Sequence, residues 1–449
     1  MYKRLSAVLL VLPLVLAATF TEPVTDKTLS NGLRVIVKVD NRSPVVVSQL
    51  WYRVGSMDEV PGKTGLSHLL EHMMFKGTKT LKPGEFSKII ARNGGRENAF
   101  TTQNYTTYFQ TLEKSRLPIA LKLEADRMHN LQFKDDEFKH ERAVVMEERR
   151  LRTEDKPEGR LYEAFLHAAY KVHPYGRPVI GPMQDIKNLT ADDVRNWYHK
   201  WYVPNNATLV VVGDVNPKNV LRLAKKYFGP IPAGKLPQRH IPAEPEQHKT
   251  RNVVLKIPAQ VPSILIGFHT PVLGQDNKEW EPYALDMLAG VLDGGDSARF
   301  SSRLVRKEHI AASADAGYDS VARAPSLFTV SATPYNGRTV SSLKKAVLAE
   351  IDKLKNNLVT PEEMKRIRAQ VIASDVYQRD SMFYQGMEIG MLTTSGLDWR
   401  LADDYVDHIK QVTPQQIQAV AKKYLVPENM TVAILQPVRP ASRKQGGRS

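Results

Sequence analysis

The segment His68-Leu69-Leu70-Glu71-His72 carries the types of side chain that bind and use a divalent metal ion. On a helix, His68 and His72 lie one turn apart on the same face, so both imidazoles can reach one ion. Glu71 flanks the pair and is placed to take a proton from a water molecule on that ion. The pattern H-x-x-E-H reverses H-E-x-x-H and indicates the same hydrolytic chemistry.

The helix that would carry these residues has a recognisable beginning and end in the sequence. Ser67 is the predicted N-cap and Gly77 the predicted stop. Leu69, Leu70 and Met73 follow helical periodicity, which indicates a helix packed into a domain. This pattern disfavours the alternative that the two histidines and the glutamate form a solvated polar stripe.

A catalytic zinc site needs three protein ligands and an open position for water. The chain has no cysteine, so the third ligand must be His, Asp or Glu. The segment 141–150 has helical character, with Val144 and Val145 expected to face inward and Glu141 and Glu148 to share their side. We therefore predict Glu148 as the third ligand and Glu141 as the acceptor of a ligand's imidazole N–H. The alternative is that Glu148 is one member of a run of charged residues on the surface. Zn²⁺, one per chain, is the first expectation, with Mn²⁺ and Co²⁺ left open.

Length and composition limit the classes of protein to which the chain can belong. A chain of 449 residues is expected to form two or more domains. With 42% hydrophobic and 25% charged residues, wholesale disorder is excluded, and the absence of cysteine excludes disulfides and a thiol nucleophile. The formal net charge of +15 is scattered and interleaved with acidic residues, so the sequence predicts no nucleic-acid partner.

Residues 1–17 are predicted to be a signal peptide. Lys3 and Arg4 precede an apolar run from Leu5 to Ala18 that is too short for the ~30 Å of a bilayer's hydrocarbon core. Cleavage is expected after Ala17, with Ala18 as the near alternative, and an uncleaved anchor remains the other possibility. The expected localisation is the periplasm, with no stable membrane span after cleavage.

The chain repeats itself. Thr190 opens a segment ending K-W-Y-V-P-N-N, and a similar segment ending K-Y-L-V-P-E-N opens at Thr413, 223 residues further on. The predicted fold is α+β, with two duplicated α/β-sandwich domains, each an antiparallel-rich sheet covered by helices. The copy lacks metal ligands, since Ser374 matches Glu148. The predicted organisation is a metal-binding domain at 26–228, a linker at 229–250, a homologous domain at 251–438 and a basic disordered tail at 439–449.

These motifs resemble the pitrilysin/insulinase family of zinc metallopeptidases, the inverzincins. The resemblance spans roughly Leu29 to Pro437 and includes Glu148, 76 residues beyond His72, together with N-A-F-T-T from Asn98 and H-P-Y-G from His173. The size is similar to that of two-domain bacterial members and processing-peptidase subunits. The resemblance implies half of a clam-shell, completed by a second copy or a related subunit. It also implies that an extended peptide pairs with the strand containing Asn98, Ala99 and Phe100.

One departure from the family bears on activity. The family places an Arg and a Tyr in the C-terminal domain, where they help to hold the substrate, but Ala312 occupies the tyrosine position here. Arg303, Arg306 and Tyr318 are left open as replacements. The resemblance implies a zinc endopeptidase for peptides or small unfolded proteins that can require a sister subunit. The alternative is a non-catalytic or chaperone-like subunit of a heteromeric assembly of the same family.

Overall fold

A computed structural model describes residues 24–275 and 278–438. The predicted signal peptide and the predicted basic tail lie outside the described residues. The strands are β1 (Thr25–Thr28), β2 (Arg34–Val39), β3 (Val45–Tyr52), β4 (Arg96–Thr101), β5 (Thr106–Glu113), β6 (Ala207–Gly213), β7 (Arg251–Pro258), β8 (Ser263–Thr270), β9 (Ala311–Gly317), β10 (Ser326–Pro334) and β11 (Met430–Val438).

The helices cover both halves of the described chain. They are α1 (Leu66–Met73), α2 (Glu85–Arg92), α3 (Leu117–Asn130), α4 (Asp135–Arg149), α5 (Pro157–Ala169), α6 (Met183–Asn188), α7 (Ala191–Trp201), α8 (Pro217–Tyr227), α9 (Trp280–Asp293), α10 (Val340–Asn356), α11 (Pro361–Arg379), α12 (Met382–Ser395), α13 (Leu401–Gln411) and α14 (Pro414–Tyr424). None of the helices in residues 24–275 and 278–438 is long and apolar enough to cross a membrane.

The strands form two sheets with the same topology. The first sheet has the order β1-β2-β6-β3-β5-β4 and the second the order β7-β11-β8-β10-β9. Apart from β1, each strand of the first sheet has a counterpart in the second. In both sheets one pair is parallel, β2 with β6 and β7 with β11, and the other pairs are antiparallel. The predicted duplicated α+β fold is confirmed.

The repeated sequence segments mark equivalent helix starts. Thr190 caps α7 in a capping box with Asp193, and Thr413 caps α14 in the same way with Gln416. Each side-chain oxygen accepts an otherwise unpaired backbone N–H of the first turn. Each helix leads into a strand rich in β-branched residues, β6 or β11, in the interior of its sheet.

The two halves exchange helices. Helix α5 of the first half packs on β7 and β11 of the second sheet, and α12 of the second half packs on β3 and β6 of the first. Both contacts are close because a glycine lies at each of them. A Cβ atom added at Gly390 would lie 2.0 Å from the buried ring of Trp51, and one added at Gly267 would lie 2.4 Å from the ring of Phe165. The chain between α8 and β7 also contacts both halves. The predicted domain and linker boundaries stay predictions.

The Gly390→Ala variant should be less stable than the wild type by ~1–2 kcal/mol. The added methyl group overlaps the Trp51 ring, and overpacking of this kind outweighs the ~1 kcal/mol that alanine gains over glycine in a helix. Urea unfolding measures the difference. In the control, Gly317→Ala, the nearest atom to the new Cβ is 3.6 Å away, so little change is expected. A Gly390→Ala protein as stable as wild type would contradict the close helix-to-sheet contact.

Candidate metal centre

Helix α1 carries the H-x-x-E-H segment and starts differently from the prediction. Gly65, with φ of 88°, precedes its first residue, so Ser67 lies inside the first turn. Glu59 supplies the cap instead: its carboxylate accepts the backbone N–H groups of Gly65 at 2.8 Å and Ser67 at 2.7 Å. The predicted N-cap was wrong because the capping oxygen comes from outside the helix. The helix also ends at Met73, before the predicted stop at Gly77.

The three predicted ligands converge. His68, His72 and Glu148 each offer one ligand atom, and these atoms lie within 4.8 Å of one another. The Nε2 atom of His68 is 3.6 Å from Glu148 Oε1, and that of His72 is 3.3 Å from Glu148 Oε2. Two imidazoles and one carboxylate are a donor set that suits zinc with a position left for water.

Glu141 orients one of the imidazoles. Its carboxylate is 3.3 Å from Nδ1 of His72 and accepts the proton of that nitrogen, which turns Nε2 toward Glu148. Lys76 and His140 also contact Glu141, at 2.6 Å and 3.1 Å. Burial opposes ionisation of Glu141, but these three partners hold its pKa at about 2.

Helix α4 presents Glu141, Val145 and Glu148 on its inner side. Glu147 lies about 100° around the helix from Glu148, points away from the site and pairs with Arg150. Val144 differs from the prediction because it is 39% exposed. It lies about 100° around the helix from Val145, and only Val145 reaches the core.

The pKa values at the site reflect burial and neighbouring charges. Burial, reinforced by the neighbouring His72, lowers the pKa of His68 to about 4. Burial would also lower the pKa of His72, but the carboxylates of Glu141 and Glu148 raise it to about 9. Burial raises the pKa of Glu71. A raised pKa suits a carboxylate that takes a proton near neutral pH.

Glu71 is connected to the edge of the first sheet. The hydroxyl of Thr101, on β4, donates a hydrogen bond of 2.6 Å to Glu71 Oε2. Strand β4 pairs with β5 and is the last strand of its sheet, so its other edge has no partner among the described strands. Asn98, Ala99 and Phe100 lie on this edge strand, where Asn98 is exposed and its Oδ1 accepts the N–H of Ala99 at 2.9 Å.

Within residues 278–438, no group of three or more His, Asp or Glu side chains is placed to hold a metal ion. Ser374 lies on α11, the counterpart of α4. The three residues considered as replacements for the family's Arg and Tyr are engaged within their own half: Arg303 pairs with Glu350 at 2.7 Å, Tyr318 donates to the carbonyl of Pro271, and Arg306 donates to that of Asp296.

Two contributors were missed from the sequence. Glu59 lies six residues before Gly65, outside any capping-box spacing, so no local signal marks it. Thr101 belongs to the N-A-F-T-T motif, but only the fold shows that it contacts Glu71.

The chain belongs to the insulinase family of peptidases, peptidase family M16. The family model matches residues 34–183, and the model of the peptidase M16 inactive domain matches residues 188–371. The zinc protease PqqE of Helicobacter pylori is 34% identical over 417 residues, which are 91% of this chain and 92% of that protein. An uncharacterised zinc protease of Bacillus subtilis, YmxG, is 26% identical over 411 residues, covering 91% of this chain and 97% of that protein.

Solved structures show the same fold. The crystal structure of a protease from Helicobacter pylori matches with a TM-score of 0.88 and 33% identity, covering 92% of this chain and all of that one. The periplasmic protease PqqL from Escherichia coli matches with a TM-score of 0.78 and 20% identity. The match covers 93% of this chain and 48% of PqqL, so this chain spans about half of that protein. The predicted family is confirmed.

Proposed function

We propose that this protein is a zinc-dependent endopeptidase that hydrolyses peptides or small unfolded proteins. The observation that carries the proposal is the convergence of His68, His72 and Glu148 beside Glu71. Digestion of a peptide library, followed by mass spectrometry, tests it. Cleavage should stop after chelation and return with added zinc; absence of cleavage under every condition would favour the non-catalytic subunit.

The residues divide the chemistry between them. His68, His72 and Glu148 would hold the ion. When bound there, Zn²⁺ supplies Lewis-acid chemistry, lowering the pKa of a water molecule and polarising the scissile carbonyl. Glu71 accepts a proton from the water and passes it to the leaving amine. Glu141 fixes the ring of His72 through its Nδ1–H.

The unpaired edge of β4 is the proposed binding surface for the peptide. An extended backbone can add to this edge by main-chain hydrogen bonds, largely independent of its sequence. Asn98, Ala99 and Phe100 would line the added strand. Because Thr101 continues the same strand and holds Glu71, the peptide and the base are positioned by one element.

The Thr101→Val variant should lose about tenfold in kcat with little change in KM. Valine keeps the shape of threonine but cannot donate to Glu71, and a hydrogen bond to a charged group contributes ~1.5–3 kcal/mol. Steady-state kinetics on one peptide measures the effect. Thr101→Ser keeps the hydroxyl and should retain most of the activity. Equal losses in both variants would contradict a role for the hydroxyl.

We also propose that full activity requires a second, related subunit. By the resemblance, Ala312 stands where the family has a tyrosine, residues 188–371 match the inactive-domain model, and PqqL is about twice as long as this chain. The lone chain should therefore hydrolyse peptides slowly, and addition of its sister subunit should accelerate hydrolysis. Full activity of the lone chain, whether monomer or homodimer, would contradict the need for a sister subunit.

The proposed localisation is the periplasm. It depends on the apolar segment from Leu5 to Ala18 acting as a cleaved signal. Cell fractionation and N-terminal sequencing of the mature protein test it. The expected first residue is Ala18, and recovery of the intact N-terminus in the membrane fraction would favour the anchor.

A further inference from the structure

A cavity outside the metal centre has a basic wall. It has a volume of ≈ 510 Å³ and lies where residues 237–242 cross the first half of the chain. This volume is typical of small-molecule sites, which span ~300–1,000 Å³. Lys171, Arg177, Lys200 and Arg239 supply the basic groups of the wall. They come from separate segments that the fold brings together.

The acidic residues of the same wall have other partners. Asp58 is shared by two guanidinium groups, those of Arg239 at 3.0 Å and Arg323 at 2.7 Å. The carboxylate of Glu59 accepts two backbone N–H groups at the start of α1. Arg177 donates only to the main-chain oxygen of Glu59, at 3.1 Å, among the described residues. Asp58 thus balances Arg239, while Lys171, Arg177 and Lys200 form no ion pair within the described residues, so the wall has an excess of positive charge.

His173 adds a buried donor without an acceptor. Its Nδ1 accepts the backbone N–H of Tyr175 at 3.2 Å, so the neutral ring carries its proton on Nε2. His173 lines the cavity and is 6% exposed, and Nε2 has no hydrogen-bond partner within residues 24–275 and 278–438. Burial lowers the pKa of His173 to about 4, which keeps the ring neutral near pH 7. A buried N–H without an acceptor indicates that a ligand can supply one.

We propose that this cavity binds a phosphate-bearing small molecule. Lys171, Arg177 and Lys200 would contact the phosphate oxygens, and the Nε2–H of His173 would donate to one of them. A guanidinium group matches the oxygens of phosphate and of carboxylate alike, but three cationic groups balance the charge of a phosphate group, about −2, rather than that of a single carboxylate. Met57 and Ile241 provide apolar wall for an organic part of the ligand. The site is independent of the proposed peptidase function.

Isothermal calorimetry of the full chain with inorganic pyrophosphate, at constant ionic strength, tests the site. Wild type should bind one pyrophosphate, and Lys171→Gln/Lys200→Gln should bind about tenfold more weakly. The control Lys218→Gln/Lys345→Gln removes the same charge from exposed positions outside the cavity and should bind like wild type. Absence of binding by wild type, or equal weakening in the control, would overturn the proposal.

A second variant separates the buried donor from general attraction by charge. His173→Asn can still accept the N–H of Tyr175 through Oδ1 but has no group at the Nε2 position. It should bind pyrophosphate more weakly while melting at a similar temperature without ligand. If the variant does not fold, the Nε2–H resonance of wild-type His173 should shift when pyrophosphate is added. An unchanged resonance, or equally tight binding of succinate, would contradict the assignment.

Discussion

The Glu71→Gln variant should lose peptide hydrolysis while keeping its zinc. Glutamine has the shape of glutamate and can still accept the hydrogen bond from Thr101 through its carbonyl oxygen, but it cannot take a proton from water. General acid–base catalysis contributes ~10²–10⁴-fold to enzymatic rates, and a loss in this range is expected for kcat. Steady-state kinetics on a peptide cleaved by wild type measures the loss, and elemental analysis of the same sample measures zinc.

The matched control is Glu147→Gln. Glu147 lies on α4 next to Glu148, but its side chain is 56% exposed and pairs with Arg150, so both activity and zinc should be retained. Retained hydrolysis in Glu71→Gln would exclude Glu71 as the proton acceptor. Loss of zinc together with activity would instead show that Glu71 is needed to form the site.

The second large effect is expected for His68→Ala, which should lose the metal. The substitution leaves two of the three ligands, and loss of a ligand should weaken binding by more than the ~10–100-fold typical of a residue that only orients one. Zinc measured after dialysis against a weak chelator should fall from one ion per chain to a small fraction. Hydrolysis should fall with it.

His129→Ala is the control for this variant. His129 is exposed on α3, so the substitution removes an imidazole group that lies outside the site. Circular dichroism of both variants checks that the fold is intact. A folded His68→Ala protein with a full equivalent of zinc would show that the ion is bound elsewhere.

The features that could be predicted from sequence depend on residues close together in the chain. The four-residue spacing of His68 and His72 places both on one face of any helix. The similar segments that begin at Thr190 and Thr413 indicate the duplication. Glu148 needed one further step, since its helix had to be predicted before its face could be compared with that of Glu141.

The features that were missed depend on contacts between distant segments. The cap of α1 comes from Glu59, and nothing in the sequence near Ser67 indicates that Glu59, rather than Ser67, caps the helix. The exchange of α5 and α12 between the halves is indicated in the sequence only by small residues at the contacts, such as Gly390. The two arginines on Asp58 come from the segment before β7 and from the loop before β10. Periodicity and spacing do not report contacts of this kind.

The most direct test of the metal centre is anomalous diffraction at the zinc absorption edge from crystals of the zinc-loaded protein. A single strong peak is expected between Nε2 of His68, Nε2 of His72 and the carboxylate of Glu148, at ~2.0–2.2 Å from each ligand atom. The absence of a peak there, with zinc at another position, would contradict the assignment of these three residues as ligands.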